Sequence, residues 1–414
     1  MAIKVMQTEH KLNGQKSIVV CPAYLVYNWR NEVRKWWEGC SVSIHKEKGK
    51  PANLNANVVI VSYERAPELA EYFLHKVVVI DEAHYLSNGE TKRSEFIQGI
   101  CRRGLKRLLL MTGTPMSNRI PDLYHLLLLL DLVWPFGFRS AYSKSWKFKQ
   151  HYCLCQEMRL PGQRFTIKKY YGSQNMEHLL KWLGCWWLKC RLADVVEMGG
   201  ITEEEIIAPD IPLKFQQLLE AHWQKQNAES MNGIDVGDHE YGSAVGDSVS
   251  TAKALCASAK SSFTAEFVIE LIKDNHGPIV VFSDHVQAAH EIAKIIGGEQ
   301  KGGGRTCYSV KVITGETPAG RRQSYVDMFQ RGELDVIVGT IGAMSTGITL
   351  TRANIMVVND YSWVPGRNWQ AKGRIYRLGQ EKHCFVYTVT GGDIDRKIWK
   401  VLREKEAIMK ELMK

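Results

Sequence analysis

With 414 residues, 45% of them hydrophobic, the chain is too long for one typical core and suits two domains with insertions. Fifty-four Lys and Arg against 44 Asp and Glu give a formal net charge of +10, which favours an anionic partner, nucleic acid being the commonest. No apolar run approaches the roughly 18 residues of a membrane helix, so no membrane partner is expected.

In chain order, Met1 to Leu12 reads as a weak helix with Ile3, Met6 and Val5 on its apolar side. Ser17 to Cys21 is a short buried strand closed by Pro22. Tyr24 to Trp37 follows as a helix in which Trp29, Val33 and Trp36 recur at helical spacing. Asn57 to Val61 is a strand and Ala66 to Leu74 a helix. In the stretch Lys76 to His84, four β-branched residues, Val77 to Ile80, run into Asp81-Glu82-Ala83-His84. Such a run reads as a buried parallel strand whose C-terminal tip opens into a site. One carboxylate there can hold hydrated magnesium and the next can orient or deprotonate an attacking water. A plain strand followed by an acidic turn is the other reading of these nine residues. A helix near Thr91 to Cys101, a strand Arg107 to Leu110 and a helix Ile120 to Leu130 complete the first unit. Strands alternating with helices predict a parallel sheet covered on both faces.

Residues 134–200 are aromatic, basic and irregular, with Trp182, Trp186 and Trp187 close together. They read as an insertion packed on its own small core. Residues 228–250 are rich in Gly, Ser and Asp and read as a mobile loop or linker. A second α/β unit then runs through a helix Phe263 to Ile272, strands Pro278 to Phe282, Cys307 to Ile313, Asp335 to Val338, Ile355 to Val358 and Phe385 to Val389, and helices Val286 to Ile296 and Gly320 to Phe329. Asp393 to Met413 is a charged amphipathic helix. The ten cysteines form no regular framework. Cys153-Leu154-Cys155 and the Cys185–Cys190 pair lack zinc spacing, and reduced thiols in a cytoplasmic or nuclear compartment (host cell interior if viral) fit them better.

Three further stretches carry chemistry. Thr112-Gly113-Thr114-Pro115 places two hydroxyls at a strand tip, able to hydrogen-bond the acidic cluster, although Gly-x-Pro makes ordinary turns. Thr340 and the loop of Ser345, Thr346 and Gly347 suit close approach to a phosphate backbone; alone they are a glycine-bearing loop. Arg374 and Arg377 lie three apart, so a helix would put both on one face, where they call for an anion between them. A solvated basic helix end is the plainer alternative.

Together these blocks resemble the Swi/Snf-type branch of superfamily two helicase-like translocases over nearly the whole chain. Ile18 to Pro22 with Asn28 to Glu32, Asp81-Glu82-Ala83-His84, Thr112 to Pro115, Val281 to Ser283, Ile313 to Gly315, Gly339 to Leu350 and Gln370 to Gln380 occur in the family's order. Trp187 to Val195 matches imperfectly, with Lys189 and Cys190 where two arginines are usual. The resemblance implies two tandem RecA-like α/β domains with parallel sheets and helical insertions. The expected divisions are 1–133, 134–250 (protrusions and linker), 251–392 and 393–414 (a brace helix). It implies ATP and Mg²⁺ as cofactors, Asp81 on magnesium, Glu82 activating water, and Arg374 and Arg377 as arginine fingers. His84, Thr112, Thr114 and Gln370 would couple nucleotide to DNA, and Pro22, Thr340, Ser345, Thr346 and Gly347 would face double-stranded DNA.

The family also needs a phosphate-cradling Gly-Lys-Thr loop, and no G-x-x-x-x-G-K-[S/T] occurs in the 414 residues. Gly14-Gln15-Lys16-Ser17 leads into a strand, and Gly302 to Thr306 lacks the lysine. The expectation is a first domain incomplete at its N-terminus, with an interior strand missing. The sequence would be a truncated product, a chain completed by an upstream fragment or partner, or a naturally reduced, ATPase-dead relative. Three functions follow: a duplex-DNA translocase module with weak or absent hydrolysis, a non-enzymatic DNA-binding or regulatory protein of the same shape, and an RNA helicase. The block from Trp363 to Gln380 disfavours the last.

Overall fold

Runs of four or five β-branched and aliphatic residues bounded by turn-formers build both sheets. The computed structural model describes residues 1–116, 118–159, 166–184, 186–190, 199–209, 244–298, 308–345 and 347–413. The chain divides into two units, Met1–Trp186 and Trp187–Lys414.

In the first unit, β1 (Ser17–Cys21), β2 (Val42–Ile44), β3 (Val58–Ser62), β4 (Val77–Ile80) and β5 (Arg107–Leu110) form one parallel sheet in the order β2-β3-β1-β4-β5. Alternate side chains go to opposite faces, and both faces are covered. Val19, Ile60 and Val79 meet Met6 of α1 (Ala2–Asn13) and Trp29 and Val33 of α2 (Val26–Trp36). Val20, Val61, Val78 and Ile80 meet Ile97 and Ile100 of α3 (Lys92–Arg103) and Leu126 and Leu129 of α4 (Asp122–Val133). Each such fully buried aliphatic contributes about 1.5–3 kcal/mol.

Several local expectations are corrected. The buried side of α1 is Ala2, Met6 and Glu9, with Ile3 and Val5 only half-buried; Glu9 is held by the Arg107 guanidinium. α2 ends at Trp36, which is 63% exposed, and the extended Trp37 (φ −135°) turns its indole into the core instead. The stretch Ala66–Phe73 is 3₁₀ helix, kinked at Leu69, in place of an α-helix.

The aromatic stretch forms a satellite core within this unit. α5 (Phe138–Ala141), α6 (Ser145–Tyr152) and α7 (Met176–Leu183) pack Phe138, Phe148 and Tyr152 with no exposed surface. Asp131 closes the turn into it, accepting from the Phe136 and Phe138 amides (2.8 and 3.0 Å) and from Arg139 Nε (2.8 Å). Between α6 and α7 the chain makes an antiparallel hairpin, β6 (Leu154–Arg159) with β7 (Thr166–Tyr171), in a stretch expected to be irregular.

In the second unit, β8 (Ile201–Ile207), β9 (Ile279–Ser283), β10 (Val310–Ile313), β11 (Val336–Thr340), β12 (Ile355–Val358) and β13 (Cys384–Thr390) form a second parallel sheet, ordered β10-β11-β9-β12-β13-β8. One face meets Ala265 and Val268 of α8 (Ala244–Lys273) and Ile292 and Ile296 of α9 (Val286–Ile296). The other meets Val326 and Phe329 of α10 (Ala319–Arg331), Ala371, and Leu402 of α13 (Gly392–Met413). Two short helices, α11 (Ile341–Met344) and α12 (Pro365–Lys372), carry the loops of interest. The helix expected at Phe263–Ile272 is only the end of α8. Its upstream turns were hidden because their buried residues include Lys253, Lys260 and Ser261, with only the small Cys256 and Ala257 as apolar ones. Residues 244–250 of the expected linker belong to α8, and 228–243 lie outside the described residues. Among the described residues no helix is long and apolar enough to cross a membrane. Both units are RecA-like α/β domains with parallel sheets.

Candidate nucleotide and nucleic-acid sites

β4 is buried along its whole length between β1 and β5, so its end is fixed by two ladders. Past Ile80 the chain turns sharply. Glu82 takes a left-handed conformation (φ 50°), and a 3₁₀ turn, Ala83–Leu86, carries His84 back beside the sheet. The Asp81 carboxylate accepts from Trp29 Nε1 at 2.7 Å and from the Glu82 amide at 2.9 Å. Tyr63 OH, from the end of β3, donates to the Asp81 carbonyl at 2.8 Å. Burial pushes the Asp81 carboxyl above the usual carboxylate range; the Trp29 bond opposes this, and the Glu82 charge adds to it. Glu82 Oε2 is buried with no hydrogen-bond partner, and lies 3.2 Å from His84 Nδ1 without bonding geometry. His84 Nδ1 is 3.2 Å from Thr112 Oγ1, which accepts the Thr114 amide at 3.0 Å.

Asp81, Glu82, His84, Thr112 and Thr114 are therefore one constellation. Sequence reasoning missed Trp29 and Tyr63 as members of it. Both follow strands that neighbour β4 or its partner, so tip-to-tip adjacency in a parallel sheet was the available signal. Pro22 is buried at the end of β1 and opens a short 3₁₀ turn, Ala23–Leu25.

Two adjacent carboxylates, one with an orphaned buried oxygen, fit a hydrated divalent cation of the magnesium type, which takes few protein ligands. Among the described residues the triphosphate finds no matching cradle. Gly14 caps α1 with φ 62°, and Lys16 Nζ donates to Leu54 O (3.4 Å) and Asn55 Oδ1 (3.3 Å). Lys16 also precedes β1, at the sheet edge opposite Asp81. Among the described residues the strand tip fits the metal, and none forms a cradle for the phosphates.

In the second unit the arginines are placed otherwise than expected. α12 stops at Lys372, and Gly373 caps it by donating to Trp369 O. Arg374 and Arg377 lie in the turns beyond and do not share a helical face. They converge all the same: Arg374 Nη1 donates to Ile348 O at 3.0 Å, and Arg377 Nη1 donates to the same carbonyl at 3.3 Å and to Thr349 Oγ1 at 3.0 Å. The Gln370 carbonyl takes Arg374 Nε at 2.9 Å. Gln380, whose side chain had no assigned role, secures this segment by donating to Thr351 O, Ala353 O and Ile375 O. Thr340 and Ser345 are buried, Gly347 is exposed with φ 73°, and Thr346 lies outside the described residues. At Gly339 an added Cβ would lie 2.7 Å from Ile313 O and collide with Met344 Sδ. This position in β11 requires glycine.

Residues 1–198 match the SNF2-related domain family, and residues 264–379 match the helicase conserved C-terminal domain. The chain is a helicase-like core of the SNF2 type. The core is 24% identical over 407 residues to a SWI/SNF-related matrix-associated actin-dependent regulator of chromatin subfamily A-like protein 1 of Xenopus laevis, covering 95% of this chain and 39% of that protein. It is 24% identical over 409 residues to the DNA annealing helicase and endonuclease ZRANB3 of Bos taurus, covering 94% and 36%. A Sulfolobus solfataricus SWI2/SNF2 ATPase core solved with dsDNA covers 99% of the chain and 84% of its own at 21% identity and a TM-score of 0.40. The SNF2-type core thus spans about two fifths of the length of these two relatives.

Proposed function

We propose that this core is the motor module of an ATP-dependent double-stranded DNA translocase or remodelling enzyme. The observation that carries this reading is the Asp81–Glu82 strand tip, bonded to Trp29 and followed by a turn that sets His84 against Thr112. The relatives named for DNA annealing and chromatin regulation point the same way. In this reading Asp81 would hold magnesium, and Glu82, whose Oε2 lies beside His84 without a hydrogen bond, would orient water. ATP, when bound, supplies the phosphoryl group that is cleaved. His84, Thr112, Thr114 and Gln370 relay nucleotide state. Arg374 and Arg377 supply positive charge. Pro22, Thr340, Ser345, Thr346 and Gly347 belong to the DNA-facing loops, Thr340 and Ser345 shaping them from within.

The 414-residue chain is expected to hydrolyse ATP weakly or not at all, because its described residues offer the phosphates no cradle. DNA-stimulated phosphate release by the purified chain tests this, and a turnover near ~1 s⁻¹ or above, within the ordinary enzyme range, refutes it. The same observation favours a second reading, an ATPase-dead DNA-binding or regulatory protein. In that case duplex DNA binds equally with and without nucleotide, and Glu82→Gln changes nothing.

A further inference from the structure

Charge is not spread evenly over the chain. Residues 134–186 hold nine Lys and Arg against two acidic residues, a net +7 of the chain's +10. Arg139 is neutralised by Asp131, and Lys168 lies 3.3 Å from Glu157. Among the described residues Lys144, Lys147, Lys149 and Lys181 have no acidic partner. Lys144 caps α6, Lys147 and Lys149 lie on it, and Lys181 lies on α7. The two helices are clamped together: His151 and His178 stack at 5.2 Å, and Tyr152 OH bonds His178 Nδ1 at 2.8 Å. The base of the hairpin is tied to the same helix, Gln174 donating to Tyr152 O and Asn175 to His151 O.

The stretch also leaves aromatic rings in water. Of the seven large aromatics exposed among the described residues, four are here: Trp134, Trp146, Tyr171 and Trp186. Trp146, 52% exposed, sits between Lys144 and Lys147, whose ammonium lies 5.8 Å from the indole centroid. Tyr171 stands on the hairpin beside exposed Leu154. Along α6, Trp146 and the hairpin base are roughly 9 Å apart. Unpaired lysines track phosphates, and exposed rings have nothing to stack on in a duplex whose bases are already stacked; together they fit an unpaired strand.

We infer that α6, α7 and the adjoining base of the hairpin form a platform for single-stranded DNA, with Trp146 as its stacking residue and Lys144, Lys147, Lys149 and Lys181 as its phosphate contacts. The platform extends the proposed DNA motor and rests on that reading only for the choice of DNA. The test is fluorescence anisotropy of the full chain with labelled oligo(dT) of 20 nucleotides and a labelled 20-base-pair duplex across a salt series. Trp146→Ala should weaken oligo(dT) binding at least about fivefold and leave duplex binding within about twofold, and Trp146→Phe should restore it. Replacing the four lysines by serine should reduce the salt slope on oligo(dT) by about 2–3, at ~0.7 per phosphate contact. All five side chains point to solvent or are half-buried, so the thermal midpoint should hold; it serves as the folding control. Unchanged binding and slope in folded variants, or equal loss on both DNAs, overturns the inference. Binding of duplex but never of oligo(dT) by the unaltered chain overturns this inference alone; binding of neither overturns the proposed function.

Discussion

Trp29→Phe separates what the indole fills from what its N–H does. Trp29 is buried between α2 and the sheet, and its Nε1 donates to Asp81 at 2.7 Å. Phenylalanine keeps most of the packing and removes the donor. A hydrogen bond to a charged acceptor contributes about 1.5–3 kcal/mol and one to a neutral acceptor about 0.5–1.5. The packing loss is independent of pH, whereas the donor's contribution depends on whether Asp81 is ionised. Because burial raises the Asp81 carboxyl, its protonated form stabilises the fold at low pH, and that stabilisation is lost as pH rises through the raised value. Removing the Trp29 donor weakens the ionised form further. The stability gap between the two proteins should therefore widen by about 1–1.5 kcal/mol from acidic pH to pH 8. Urea unfolding of the first unit at a series of pH values, followed by circular dichroism, measures it. A gap that is constant with pH would show that the indole N–H does not support the ionised carboxylate, and would remove Trp29 from the site.

Two further outcomes test the second unit. Gly339→Ala should cost about 1–3 kcal/mol, since the new methyl meets the Ile313 carbonyl, which is held in the sheet and cannot yield; an unshifted thermal midpoint would contradict this. Lys260→Met should cost about 3–5 kcal/mol in urea unfolding, because it leaves Asp395 buried without its ammonium, and the double variant with Asp395→Asn should recover much of the loss.

The sheets were legible because they are written in unbroken apolar runs. Ser17–Cys21, Arg107–Leu110, Ile355–Val358 and the helix Val286–Ile296 were readable to the residue. What failed was structure made without such runs. β8 carries three consecutive glutamates and forms because β13 offers its edge, with Lys372 and Thr390 engaging Glu203 and Glu205. The described side chains of the hairpin β6–β7 are mostly exposed, and it has no apolar period to announce it. At the site, the carboxylates and threonines were visible as strand-tip residues, since position in a parallel sheet follows from order. Trp29 and Tyr63 looked like core because aromatic residues usually are; only the neighbouring tips reveal their polar atoms at work. The arginine pair was read with a helical period that Gly373 interrupts.

The two arginines beyond that interruption share one acceptor, the Ile348 carbonyl. An oxygen that accepts from two cations couples their positions, even though each has a further acceptor, Gln370 O for Arg374 and Thr349 Oγ1 for Arg377. Displacing the segment from Gly347 to Leu350 removes a contact from each guanidinium together, while the Gln370 carbonyl still holds Arg374. The shared carbonyl couples the two side chains, so substitutions at either arginine should show non-additive effects when combined.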